Sequence, residues 1–156
     1  NLKEKHPDVV LELVGDGEQK SELENLAREL KAEKYIVFTG LVKHEEVSAY
    51  FNRASVFVLP SLNEGMSNVM LEALACGLPI VATDTGGTKE LVDDGRNGFI
   101  IKMKDAKDIE EKVERLIADQ ELRKKMAQES RKKAEEMSWR KVADDYFNFY
   151  EKLAKK

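Results

Sequence analysis

Short apolar runs alternate with longer amphipathic segments along the chain, and this alternation predicts the secondary structure. Runs rich in β-branched residues predict strands, whereas apolar residues that recur every three or four positions predict helices. The predicted strands are Val9–Val14, Tyr35–Phe38, Ser55–Leu59, Pro79–Ala82 and Phe99–Ile101. The predicted helices are Glu18–Glu33, Glu45–Asn52, Ser67–Cys76, Thr88–Val92, Ala106–Ala118, Glu121–Met137 and Trp139–Leu153. This order predicts an α/β fold: a Rossmann-like three-layer αβα arrangement around a mainly parallel sheet of about five strands.

Two features refine this prediction. The third and fourth predicted strands are apolar throughout, which is typical of central parallel strands that are covered on both faces. The last predicted helix follows Ser138, a good N-cap residue, and carries an apolar stripe at helical spacing. The stripe comprises Trp139, Val142, Tyr146, Phe149, Tyr150 and Leu153. We expect this stripe to pack in the core, the alternative being that it docks on a neighbouring domain.

Composition excludes several classes of function. The 156 residues suffice for one domain with its own core, and 26 basic against 30 acidic residues give a net charge of only −4. This balance predicts no nucleic-acid partner. The single cysteine, Cys76, excludes a disulfide framework and is expected to be a buried apolar residue in a cytoplasmic protein. His6 and His44 are remote from each other and have no ligand-spaced neighbours, so no metal site is expected.

Three predicted loops lie at the carboxyl edge of the sheet, where open parallel sheets bind ligands. The first, Gly15-Asp16-Gly17, permits close backbone approach, but Lys20 stands where a dinucleotide fingerprint needs its third glycine. A structural turn is equally compatible with this loop. The Thr85–Thr88 loop contains two glycines and resembles an anion-binding helix start, although Gly-Gly turns are common.

The loop Ser61–Ser67 is the most informative of the three because it runs directly into the helix that contains Glu72. Helix N-termini present unpaired amides and a positive dipole, which suit a phosphate or diphosphate. Gly65 leaves the backbone open to a ligand. Glu72 lies one turn beyond Asn68, with its side chain tilted back towards the N-terminus, where its carboxylate can accept hydrogen bonds from vicinal hydroxyls of a ribose. Glu64, outside the helix, would meet the other end of the ligand.

The spacing Glu64-x7-Glu72, within Pro-Ser-x2-Glu-Gly-x6-Glu-Ala-x-Ala-x-Gly-x-Pro and before Gly-Gly-x2-Glu, resembles the donor-binding half of group 1 (family four) retaining glycosyltransferases. These are two-domain enzymes of the GT-B fold. Smaller matches extend the resemblance over essentially the whole chain. They are Val14-Gly15-Asp16-Gly17, Val37-Phe38-Thr39-Gly40, Glu90-Leu91-Val92-Asp93-Asp94-Gly95 with Gly98, and Ser138-Trp139.

The resemblance implies a role for each matching residue. Glu64 would contact the transferred sugar as the catalytic residue, and Glu72 would bind the nucleotide ribose. The amides of Gly65, Met66 and Ser67, at the helix start marked by Asn68, would hold the sugar and diphosphate. The backbone at Gly40, Leu41 and Val42 would flank the base, and Gly15, Asp16 and Gly17 would line the nucleotide pocket. The ligand would be a UDP- or GDP-sugar, GDP-mannose included, as substrate, with no metal or other cofactor.

The family also carries an Arg- and Lys-bearing strand and loop ahead of the position of Asn1, and a separate acceptor domain. We therefore expect residues 1–156 to be one donor-binding domain, truncated at its N-terminus, that binds a donor weakly and is inactive alone. Any peripheral membrane association would come through the absent domain. Without the family's first strand, the sheet is expected to close in order 2-1-3-4-5, or to borrow a strand through strand exchange or a dimer.

Two other readings compete with the parent hexosyltransferase. The runner-up is a non-catalytic α/β scaffold, such as an engineered or split fragment, that retains the pocket residues as a relic. A sugar-nucleotide epimerase is a third hypothesis. The Glu-x7-Glu spacing and the Ser138-Trp139 helix both argue against it.

Overall fold

Five strands and eight α-helices form in the computed structural model, which describes residues 1–155. The described chain divides into two compact units, Asn1–Tyr50 and the part from Phe51 onward. The assignment of 1–156 to a single donor-binding domain stays a prediction. None of the helices in the described residues is both long and apolar enough to cross a membrane.

The first unit is built around two parallel strands, β1 (Leu11–Val14) and β2 (Ile36–Gly40), with Leu11 opposite Ile36 and Leu13 opposite Phe38. Short helix α1 (Leu2–Lys5) precedes β1, and α2 (Lys20–Glu29) with a 3-10 turn (Glu33–Tyr35) connects the strands. Helix α3 (His44–Arg53) follows β2. The Thr39 hydroxyl donates to the Leu13 carbonyl at 3.1 Å, which joins the carboxyl ends of the two strands.

The second unit contains a three-stranded parallel sheet in the order β3 (Phe57–Leu59), β4 (Ile80–Thr83), β5 (Gly98–Ile101). Residues Ile80, Val81 and Ala82 of β4 are all 0% exposed. The connecting helices are α4 (Asn68–Ala75) and α5 (Thr88–Leu91), and the chain continues through α6 (Ala106–Ala118), α7 (Gln120–Glu136) and α8 (Trp139–Ala154). The α/β class and the Rossmann-like arrangement are therefore confirmed.

The core of the second unit forms between β4, β5 and the pair α6–α7. It contains Val81, Phe99, Ile101, Leu116 and Met126. Helix α6 begins where the Asp105 side chain accepts hydrogen bonds from the amides of Lys107 and Asp108, which satisfies two of the amides at the helix start. Helix α4 packs on β3, β4 and α7 and ends at Cys76, after which Gly77 adopts the positive φ of +71° that such helix ends favour.

The strand pairing differs from the predicted single sheet. In the part of the chain that the structure describes, β1 pairs only with β2 and β3 only with β4, so the order 2-1-3-4-5 is not formed. Strand β3 is consequently an edge strand, and Phe57, Val58 and Leu59 are half-buried rather than covered on both faces. An apolar pattern indicates which residues form a strand but does not specify which backbone edges meet, and this explains the error.

The predicted burial of the apolar stripe on α8 is wrong. Ser138 does cap this helix, accepting from the Lys141 amide, yet no α8 residue is buried and Trp139 is 88% exposed. Leu116 of α6 and Met126 of α7 already fill the space against the sheet, being 0% and 1% exposed. The core of this unit therefore closes without α8, and the helical periodicity alone could not reveal this.

Candidate functional site

Two loops run side by side at the carboxyl edge of the three-stranded sheet. The Glu64 loop (Ser61–Ser67) follows β3, and the glycine loop (Asp84–Gly87) follows β4. Parallel neighbouring strands end at the same edge, so their following loops emerge together. A parallel β-bridge between Glu64 and Gly86 joins the two loops through their backbones.

The base of the Glu64 loop is held by a threonine at the end of β4. Thr83 is 2% exposed, and its hydroxyl donates to the Ser61 carbonyl and lies 3.5 Å from the Leu59 carbonyl. The Thr83 carbonyl in turn accepts from the buried Thr88 hydroxyl at 2.7 Å. This chain of hydrogen bonds connects the start of α5 to the start of the Glu64 loop.

The glycine loop also supports the Glu64 loop by direct backbone packing. A Cβ atom placed on Gly87 would lie 2.5 Å from the Gly65 carbonyl oxygen and 2.9 Å from the Met66 nitrogen. Both separations are far below van der Waals contact, so only glycine allows this approach. No atom lies within 4 Å of the position that a Cβ on Gly65 would occupy, so this side of Gly65 is open.

Helix α4 begins at the end of the Glu64 loop with its first amides uncapped by any side chain. Ser67 is the N-cap residue and is 5% exposed, but its hydroxyl makes no capping hydrogen bond. The Ser67 carbonyl accepts from the Leu71 amide at 3.2 Å, and the amides of Asn68, Val69 and Met70 precede the first intrahelical bond. The positive end of the α4 dipole therefore lies beside the open face of Gly65, an arrangement that suits an anion.

The two predicted carboxylates lie at different places on this assembly. Glu64 is half-buried in its loop, and the Ser61 hydroxyl donates to its Oε1 at 3.3 Å. Glu72 is half-buried within α4, next to Ala73, which is 0% exposed. In a helix each Cα–Cβ bond tilts towards the N-terminus, so the Glu72 carboxylate is carried back along α4 towards the uncapped amides.

The far end of α4 is fixed by α7. The Arg131 guanidinium donates from Nη1 to the Ala75 carbonyl, and the Leu78 amide donates to the Ala73 carbonyl at 3.0 Å. Cys76 is half-buried here, and burial raises the pKa of its thiol, an effect that the nearby Arg131 charge partly opposes. A raised pKa keeps the thiol protonated, which suits the expected apolar role, although Cys76 is only half-buried where the sequence predicted a buried residue.

The remaining predicted residues lie in the first unit, where two loops follow β1 and β2. The Gly15 amide donates to the Gly40 carbonyl at 3.0 Å, which brings these loops together. The Asp16 carboxylate accepts from the Gly17 amide at 2.8 Å, so its side chain stabilises its own turn. Leu41 is 87% exposed and Val42 is half-buried. The roles expected for these six residues stay predictions.

Reasoning from the sequence missed the part played by Thr83, Gly87 and Thr88. In the sequence, the Thr85–Thr88 loop resembles an anion-binding helix start, although Gly-Gly turns are common. Helix α5 has only four residues, and Gly87 instead packs on the Gly65–Met66 peptide. The only sequence signal was the threonine-glycine composition of 83–88, which does not say which backbone lies above it. Within residues 1–155, acidic, His and Cys side chains form no group of three or more that could hold a metal ion.

The family model described as glycosyl transferases group 1 matches residues 1–133. The chain belongs to this family. It is 32% identical over 147 residues to an uncharacterized glycosyltransferase of Methanocaldococcus jannaschii, an alignment that covers 94% of this chain and 42% of that protein. The chain therefore spans less than half the length of this relative, and the activity of the whole protein is a matter for proposal.

Solved structures of the same kind agree with the fold. The structure of HepE from Anabaena in complex with UDP superposes with a TM-score of 0.81 at 26% identity, covering 96% of this chain and 42% of that one. The C-terminal domain of a group 1 glycosyl transferase, LpcC from Francisella tularensis, superposes with a TM-score of 0.74 at 26% identity, covering 84% and 70%. The prediction that the chain is a C-terminal domain of this family is confirmed.

Proposed function

We propose that this chain binds a nucleotide-diphosphate sugar as the donor-binding part of a retaining glycosyltransferase. The observation that carries the proposal is the Glu64 loop, which runs over an open glycine into the uncapped N-terminus of α4, with Glu72 on that helix. The UDP complex of HepE supports a nucleotide diphosphate as part of the ligand. A UDP-sugar is therefore the first donor to test, and a GDP-sugar the second.

Different residues of the site bind different parts of the donor. The amides of Gly65, Met66 and Ser67, together with the start of α4 at Asn68, hold the diphosphate and the sugar. The Glu72 carboxylate accepts hydrogen bonds from the ribose hydroxyls. Glu64 contacts the transferred sugar, with the Ser61 hydroxyl on its Oε1 orienting the carboxylate. No metal is required in this arrangement, because amides and a helix dipole supply the positive potential.

Transfer breaks the bond between the anomeric carbon and the diphosphate oxygen and forms a bond from that carbon to an acceptor hydroxyl. The nucleoside diphosphate leaves with the bonding electron pair, and its departing oxygen takes up the proton that the acceptor hydroxyl loses. Backbone donors that face this leaving oxygen stabilise the charge as it develops. Transfer is proposed for the complete enzyme, because the chain spans less than half of its relative.

Titration calorimetry with UDP-glucose, GDP-mannose, UDP and GDP tests the proposal. Glu72→Gln should weaken binding of the preferred nucleotide about tenfold or more, because hydrogen bonds to a charged acceptor contribute about 1.5–3 kcal/mol each. Glu64→Gln should weaken the nucleotide sugar but not the free diphosphate. Glu136→Gln, at an exposed position on α7, is the matched control and should change neither.

The scaffold alternative makes the opposite forecast. It expects no saturable binding of any of the four ligands, or binding that Glu72→Gln and Glu72→Ala leave unchanged. Either result would overturn the proposed function. A cytoplasmic location, a dimer or strand exchange, and a membrane role through another domain stay predictions.

A further inference from the structure

Besides the β-bridge between Glu64 and Gly86, two contacts support the Glu64 loop from the end of β4 and from the glycine loop. They are made by Thr83 and Gly87, and neither residue has a donor-binding role in the proposed function. One is the hydrogen bond from the Thr83 hydroxyl to the Ser61 carbonyl. The other is the packing of Gly87 on the Gly65–Met66 peptide. The two contacts hold the Glu64 loop at its start and at its centre.

We propose that Thr83 and Gly87 are positioning residues for donor binding. They fix the orientation of the Gly65–Met66 peptide, which faces the diphosphate, and its distance from the edge of the sheet. The proposal rests on the proposed function. Neither residue touches the donor, and both act through the Glu64 loop.

The packing at Gly87 sets how far the peptide can approach the sheet edge. A Cβ at this position would lie 2.5 Å from the Gly65 oxygen, 2.8 Å from the Gly65 carbonyl carbon and 2.9 Å from the Met66 nitrogen. Ordinary contact begins near 3.4 Å, so an alanine here must push the peptide outward by several tenths of an ångström or more. The displaced group is the peptide whose Met66 amide is proposed to bind the diphosphate.

The hydrogen bonds of Thr83, Thr85 and Thr88 fix the start of the Glu64 loop at Ser61. Thr83 and Thr88 are 2% and 1% exposed, and the Thr88 hydroxyl both donates to the Thr83 carbonyl at 2.7 Å and accepts from the Thr85 amide at 3.3 Å. The glycine loop is therefore held in one shape by buried hydrogen bonds. A β-bridge joins the backbone of Gly86 to that of Glu64, the expected catalytic residue, so the conformation of the glycine loop also fixes the position of the Glu64 backbone.

Two variants separate positioning from plain structural support. Gly87→Ala adds the Cβ that the Gly65–Met66 peptide excludes. Thr83→Val keeps the β-branched shape but removes the hydroxyl, and Thr83→Ser restores it. Gly95→Ala is the control for an added methyl group away from the site: no atom lies within 4 Å of the Cβ position of Gly95, which is in the turn before β5. Its φ of +77° disfavours alanine, whereas the φ of −79° at Gly87 does not, so any effect of Gly87→Ala on the Gly65–Met66 peptide comes from the added atom.

Two-dimensional amide NMR of the ligand-free chain gives the first readout. The Gly65 and Met66 signals should shift in Gly87→Ala and in Thr83→Val, return towards their original positions in Thr83→Ser, and stay unchanged in Gly95→Ala. Unchanged Gly65 and Met66 signals in both Gly87→Ala and Thr83→Val would overturn the proposal, whatever the chain binds.

NMR titration with UDP and with uridine gives the second readout. Gly87→Ala and Thr83→Val should weaken UDP binding about tenfold while changing uridine binding less than about twofold, because only the diphosphate contacts the displaced peptide. Equal weakening of both ligands, or full UDP affinity in both variants, would refute the positioning role. If the unmodified chain binds no nucleotide, the proposed function fails, whereas the ligand-free amide signals still decide whether Thr83 and Gly87 position the loop.

Discussion

Replacing Asn97 by alanine should destabilise the second unit more than most single substitutions would. Asn97 lies in the turn before β5 and is 1% exposed. Its side chain donates from Nδ2 to the Leu91 carbonyl at 2.9 Å and accepts at Oδ1 from the Asp93 amide at 2.8 Å. The two bonds close the turn between α5 and the sheet.

The magnitude follows from what alanine leaves behind. The Leu91 carbonyl and the Asp93 amide would both lose their partners; Leu91 is 0% exposed, whereas Asp93 is half-buried. An unpaired buried group costs about 1–3 kcal/mol and a half-buried one less, so the free energy of unfolding should fall by about 1–4 kcal/mol. A domain of this kind has only about 5–15 kcal/mol in total, so a large part of its stability is at stake.

The effect should also reach the sheet, because the backbone of Asn97 is part of the same network. Its carbonyl accepts from the Ile80 amide at 3.2 Å and from the Ser130 hydroxyl at 3.1 Å. Loosening the turn therefore weakens the start of β4 and the attachment of α7. We expect the amides of β4 and β5 to exchange with solvent faster in Asn97→Ala than in the unmodified chain.

Urea unfolding is the appropriate assay, followed through NMR signals of Val81 and Ile101 because the chain has two units that need not unfold together. Asn148→Ala, at an exposed position on α8, is the control and should change the free energy of unfolding by less than about 0.5 kcal/mol. A loss below about 1 kcal/mol in Asn97→Ala would refute the reasoning, since it would mean that both groups find new partners.

Two further predictions concern single reporter residues. Because burial raises the pKa of the Cys76 thiol and the thiolate is the reactive form, alkylation by iodoacetamide should reach half its maximal rate at a higher pH than for free cysteine. Arg131→Gln should move that midpoint higher still, because the guanidinium lowers the pKa; a midpoint at or below that of free cysteine would contradict this. Trp139 is the only tryptophan and is 88% exposed, so acrylamide should quench its fluorescence almost as efficiently as that of free tryptophan, and strong protection would contradict the exposed position of α8.

Local structure was largely predictable because it depends on neighbouring residues. Backbone sterics, side-chain capping and β-branched composition act within a few positions. They set the end of α4 before Gly77, the cap at Ser138 and the five strand segments. The same holds for Glu72, which lies one helical turn beyond Asn68, since the Cα–Cβ bonds of a helix tilt towards its N-terminus.

Long-range contacts were not predictable from these patterns. The exposed stripe on α8 has the same periodicity as a buried one, and only the filling of the core by Leu116 and Met126 decides between them. The division of the five strands into two sheets depends likewise on which strand edges form hydrogen bonds, and the alternation of side chains does not specify this.

The amino-acid sequence by itself determined the α/β class, the family and the two carboxylates with their helix start. The tertiary structure alone decided what supports them: the hydroxyl of Thr83 beneath Ser61 and the bare Cα of Gly87 against the Gly65–Met66 peptide. The physical reason is that a sequence motif contains only residues that are close together in the chain. A loop takes its exact position from the backbone packed against it, and here that backbone lies more than twenty residues further along.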